Sequence, residues 1–146
     1  MIKNFAKWHK EYFSKLNPDL YFEMANLEGL DQGFRAGYIY VADSNCRKDY
    51  QTSYNKNELD RDTVYFHRIV ELTKKYGWLG FDLIGAKTDV VSLIMWHNRA
   101  KYGYSEDWKY LMKEIDKQIK KGEFDSAAVA NYEDYIYYVN HKMQLY

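Results

Sequence analysis

Apolar residues recur at intervals of three and four along most of this chain, the spacing of helices that bury one face. Leu20, Met24, Leu27, Phe34 and Tyr38 form one such stripe. Leu59, Phe66, Ile69 and Thr73 form a second, and Val90, Leu93 and Ile94 a third. Each stripe carries one ionisable residue: Asp31 in the first, Asp62 just after Leu59 in the second, and His97 after Ile94 in the third. A buried carboxylate or imidazole is costly unless it is paired, so three of them in a small chain predict a shared polar centre.

The periodicity predicts six helices. The first covers about residues 2–15, with Phe5, Trp8 and Tyr12 on one face. Asn17 then caps a second helix, Pro18 takes its first position, and the helix reaches about Tyr40. Gly29, Gly33 and Gly37 leave one side of it bare, which predicts close packing of a neighbour there; a break near Gly29 is the competing reading. Residues 41–55 show no helical stripe and read as an ordered loop. The third helix covers about 56–76, and the apolar connection from Gly77 to Gly85 should pack onto the body. The fourth helix, capped by Thr88 or Asp89, reaches about Ala100. Ser105 caps the fifth, with Trp108, Leu111, Met112 and Ile115 facing inward and Gly122 ending it. Asp125 or Ser126 caps the sixth, whose stripe is Val129, Tyr132, Ile136, Val139 and Met143. With one proline, eight glycines and no internal repeat, the chain reads as a single all-α domain over residues 1–146, a compact bundle of about six helices.

Composition narrows the function classes. Hydrophobic residues are 47% and aromatics 18%, enough for a core and against disorder. Lys plus Arg and Asp plus Glu are 21 each, so the basic face of a nucleic-acid binder is not expected. The cluster Lys113, Lys117, Lys120 and Lys121 lies where it complements a helix C-terminus. A single cysteine, Cys46, excludes an internal disulfide and a cysteine-based zinc cluster. The N-terminal residues lack a signal-peptide core, and the longest nearly apolar run, Val90 to Trp96, is far short of the roughly 20 residues a membrane span needs. A soluble cytoplasmic protein is expected, with no membrane or nucleic-acid partner and no cofactor.

The candidate chemistry lies on the stripes. Asp31 and Arg35, four apart with the acid first, suit an internal salt bridge, or an arginine oriented by its acid to hold an anionic ligand. Asp62, in Asp60-Arg61-Asp62, falls where acids favour a helix start, yet it also sits on the stripe. His97 on an apolar face is either a satisfied core histidine or, oriented by a carboxylate, a general base. Two carboxylates and an imidazole suit a metal too, but no close ligand spacing supports one. His9, His67 and His141 fall off the stripes. Glu133 flanks the last stripe and Asp134 points away from it, ahead of Tyr135, Tyr137 and Tyr138. There is no G-x-S-x-G, no glycine-rich phosphate loop and no Cys/His arrangement of a known nucleophile motif.

In order and spacing these residues resemble a bacterial family known only as a domain of unknown function. Asp31-Gln32-Gly33-Phe34-Arg35 resembles its D-Q-x-x-R element, and Asp62 its acid early in the next helix. Tyr76-Gly77-Trp78-Leu79-Gly80 is similar to its Y-G-W-P turn, and Gly85 with Trp96-His97 to its glycine and Q-H. Gln144-Leu145-Tyr146 resembles the start of a closing Q-x-Y-G-T. Leu79 stands in place of the turn proline, Trp96 in place of glutamine, and Tyr135 in place of the arginine that follows the family's later acid. The resemblance covers about residues 25–146; it implies a helical fold and a polar centre, and no reaction.

Residues and resemblance together give a leading expectation and two competitors. The first is a pocket of Asp31, Arg35, Asp62 and His97 that binds a small polar or anionic ligand, or a protein partner, with Gln32, Trp78, Glu133 and Asp134 contributing. The second is a hydrolase with His97 as base, Asp31 or Asp62 orienting it, and Arg35 on an oxyanion. The third is a sealed structural network. The first requires hydrogen bonds linking the four side chains, the second an open cleft at His97, and the third sealed burial of all four with no adjoining cavity.

Overall fold

The computed structural model describes the backbone of residues 7, 10, 11, 13–39 and 44–142, and the side chains there apart from 34, 36–39 and 44–59. Among these residues the regular structure is entirely helical: α1 (Pro18–Ile39), α2 (Ser44–Tyr76), α3 (Phe81–Ile84), a 3-10 turn (Gly85–Thr88), α4 (Asp89–Tyr102), α5 (Glu106–Lys121) and α6 (Ser126–His141). The described residues of the expected first helix, 7, 10, 11 and 13–15, are helical as well; Phe5, Trp8, Tyr12 and His9 lie outside the described residues.

Local chemistry sets most of the boundaries. Asn17 Oδ1 accepts from the Leu20 amide at 3.1 Å, so it caps α1 ahead of Pro18. Ser105 Oγ caps α5 by accepting from the Trp108 amide at 3.1 Å. The same helix ends at Gly122, in the left-handed region at φ 75°, where the Gly122 and Glu123 amides take the Ile119 and Gln118 carbonyls at 2.9 Å each. Asp125 caps α6 through Oδ1 on the Ala127 amide.

Three expectations change. Residues 44–55 are helix, so α2 runs unbroken for 33 residues. No glycine or proline interrupts it, and its polar composition hides the stripe without opposing the helix. Thr88 does not cap α4; the preceding 3-10 turn runs into the helix, and the Thr88 hydroxyl donates to the Leu79 carbonyl at 3.0 Å. The bare side of α1 has no close neighbour either: among the described residues nothing lies within 4 Å of a Cβ built on Gly29 or Gly33, and α1 continues past Gly29 without a break. The side chains of Phe34, Tyr38, Cys46 and Leu59, and all of Met143 to Tyr146, lie outside the described residues.

α4 is the central element, packed against α1, α2 and α6, while α2 also meets α5. The three stripes meet there: Leu20, Met24 and Leu27 of α1, Phe66, Ile69 and Thr73 of α2, and Val90 and Ile94 of α4 are all buried. Phe66 stacks on Tyr102 with centroids 4.5 Å apart, and Trp108 meets Tyr132 edge-on at 5.7 Å. The connection after α2 joins this core through Leu79 and Ile84, both fully buried. Each large apolar side chain so buried contributes roughly 1.5–3 kcal/mol. Among the described residues no helix is long and apolar enough to cross a membrane.

Candidate functional site

Because α1, α2 and α4 pack with their stripes facing, the polar residue in each stripe is carried into the same interior space. Asp31 comes from α1, Asp62 from the middle of α2 and His97 from the second half of α4. The longer α2 alters the meaning of Asp62. It lies far inside the helix rather than in its first turn, so the helix dipole no longer accounts for an acid there.

The four side chains form one hydrogen-bonded chain. His97 Nδ1 lies 3.0 Å from Asp31 Oδ1. Arg35 Nη2 donates to Asp62 Oδ1 at 2.7 Å and reaches Asp31 Oδ1 at 3.3 Å, with Nε 3.4 Å from both Asp31 oxygens. Gln32 Nε2 closes the remaining side by donating to Asp31 Oδ2 at 2.6 Å. Exposure is graded across the group: the Asp31 side chain is 1% exposed, His97 15% and Arg35 23%. Tyr65, three residues after Asp62 on the same face, is buried beside them, and burial pushes its hydroxyl pKa up.

The two carboxylates are tuned in opposite directions. Burial pushes the Asp31 pKa up, but the His97 and Arg35 contacts outweigh it and hold the group below the usual carboxylate range. Burial also pushes Asp62 up; Arg35 opposes this, the charge of Asp31 adds to it, and the group stays above its ordinary value. Burial works against the charge of Arg35, and its two aspartates more than restore it.

An ionised Asp31 can only accept, so the proton between it and His97 belongs to His97 Nδ1. The other ring nitrogen, Nε2, has no hydrogen-bond partner among the described residues. Asp31 thereby orients the ring, and in its neutral form the imidazole offers Nε2 as the proton acceptor. Arg35 is not free in the way an anion site requires, because both aspartates hold it.

Asp31, Asp62 and His97 each offer a ligand atom within 4.8 Å of the others, a set of oxygen and nitrogen donors that suits a divalent cation. Arg35 Nη2 already bridges the two carboxylates, so a cation there has to displace the guanidinium.

Other expected contributors lie elsewhere. The stretch of α2 from Asp62 to Tyr76 is roughly 21 Å long at helical rise, and Trp78 follows it. Its ring packs edge-on against Phe124 at 5.8 Å and lines a different cavity, with Gln118 and Lys121. Glu133 lines a cleft of about 750 Å³ between α5 and α6, beside Tyr104, Trp108 and Tyr137. Asp134 is half-buried on α6. His67 and His141 are exposed.

Sequence periodicity overlooks one feature. The guanidinium carbon of Arg99 sits 3.5 Å from the Trp96 ring centroid and 3.7 Å from that of Tyr135. An arginine therefore does reach position 135, from α4. The Arg99–Trp96 spacing of three hints at it, but the α6 partner requires the tertiary fold.

No family model, curated protein or solved structure matches the chain. The resemblance to the uncharacterised bacterial family rests on its motifs alone.

Proposed function

We propose that the protein binds a small polar ligand at the Asp31–Arg35–Asp62–His97 centre, with His97 Nε2 accepting a hydrogen bond or proton from it. The observation that carries this reading is the Asp31–His97 contact, which fixes one ring nitrogen, while the other has no partner among the described residues. Both aspartates already hold Arg35, which favours a neutral donor or a cation over an anion. The even charge balance favours such a ligand over nucleic acid, and a cytoplasmic setting accords with a lone cysteine. The test is a titration with ethanolamine, glycerol and acetate, following the His97 imidazole signals by NMR. Ethanolamine or glycerol should shift them saturably and acetate more weakly, and a folded His97→Ala variant should lose the binding. Acetate binding best, or no change of affinity in His97→Ala, contradicts the reading.

The same contact favours a second reading, hydrolysis with His97 as general base and Asp31 orienting it, a role worth about 10²–10⁴-fold in rate. Hydrolysis of p-nitrophenyl acetate should then fall by about 100-fold or more in His97→Ala. An equal rate in the folded variant removes this reading.

A further inference from the structure

The face of α4 that meets α6 carries a cation of a different kind. Arg35 is held by two carboxylates and Arg68 by Glu23 and Glu71, whereas Arg99 has no carboxylate partner among the described residues. Instead its guanidinium lies between two rings. The Trp96 and Tyr135 centroids are 6.4 Å apart, with the guanidinium carbon between them. Cation–π contact on both faces restricts approach to the guanidinium edge.

That edge is only partly used. Nη1 donates to the Trp96 carbonyl, and Nε is buried with no partner. Nη2 has no partner among the described residues. Burial disfavours the charge on Arg99, with only the Tyr135 and Tyr132 rings beside it in compensation. A half-buried guanidinium with no carboxylate partner among the described residues, held by stacking, is pre-organised for an oxyanion.

A cavity of about 370 Å³ lies against Trp96, the ring that carries Arg99. Leu93, Trp96 and Tyr132 supply its apolar wall, with Ser92, Asn131 and Asp89 at its polar margin. Trp96 belongs to both features: its ring carries Arg99 and walls the cavity. Asp89 lies ten residues before Arg99, roughly 15 Å along α4, too far to neutralise it. Arg99 is two residues from His97, about 200° around the helix, so this face is separate from the Asp31–His97 centre.

We infer that Arg99, Trp96, Tyr132 and Tyr135 form a binding site for a small carboxylate with an apolar or aromatic body. The body fills the cavity against Trp96 and Tyr132, and the carboxylate takes the Nη2 edge of Arg99. A weakly hydrated carboxylate suits this partly desolvated place better than a phosphate. Titration of the protein with phenylacetate, followed through the Trp96 indole and Arg99 Nε–H signals, tests the site. Phenylacetate should shift both saturably, and the uncharged phenylacetamide should bind at least about tenfold more weakly. Arg99→Gln should erase that difference while the His97 signals stay in place. Equal binding of the acid and the amide by the unaltered protein, or no saturable shift, overturns the inference even where Arg99→Gln does not fold.

Discussion

Asp31 and Asp62 share one guanidinium but face different balances. The Asp31 contacts win over its burial, and those of Asp62 do not. A carboxyl with a depressed folded pKa stabilises the fold above its unfolded value, and that contribution is lost as pH falls through the folded value. A carboxyl with a raised folded pKa does the reverse: its ionisation costs stability above that value, and the cost is relieved as pH falls toward the unfolded one. The stability gap between the unaltered protein and Asp31→Asn should therefore shrink as pH drops below about 4. The gap to Asp62→Asn should shift in favour of the unaltered protein at higher pH, as pH falls toward about 4. At neutral pH, Asp31→Asn should cost about 3 kcal/mol, because it leaves Arg35 and the His97 Nδ1–H with a weaker buried partner. Chemical denaturation from pH 3 to 7 measures both gaps, and the same sign for the two variants contradicts this assignment. The pairing itself is legible in the sequence, since Asp31, Asp62 and His97 interrupt apolar stripes. Their opposite tuning depends on the packing of three helices around Arg35, which spacing alone does not specify.

Among the elements, α2 departs furthest from its sequence pattern. Phe66, Ile69 and Thr73 mark the buried part of the helix, and the polar stretch from Ser44 onward extends it without an apolar stripe. Periodicity registers burial, so a helical segment without a clear apolar face escapes it, whereas caps register chain geometry directly. For that reason Asn17, Ser105, Gly122 and Asp125 are legible from residue type. Thr88 is not, because its hydroxyl finds a carbonyl in the connection before α4. Thr52→Pro discriminates between helix and loop. In a helix interior proline should cost about 3 kcal/mol, seen as a clear fall in thermal midpoint. An unchanged midpoint places residues 44–55 in a loop.

At the scale of the whole molecule, α4 joins two polar features on opposite faces. One face presents His97 to Asp31, the other presents Arg99 to Trp96 and Tyr135. Trp78 and Glu133 fall away from the first because α2 carries the turn at residues 77–80 to the far end of the body, and because Glu133 faces the α5–α6 cleft. Motif order placed them together; helix length and direction separate them. The chemistry proposed for the centre depends on His97 and its second ring nitrogen. Long-range ¹H–¹⁵N NMR of the imidazole at neutral pH reads this directly. It should show the proton on Nδ1, bound to Asp31, with Nε2 bare, and the signals should lose that asymmetry in Asp31→Asn. A neutral ring with its proton on Nε2 in the unaltered protein, or free exchange between the two tautomers, would contradict an Asp31-oriented histidine.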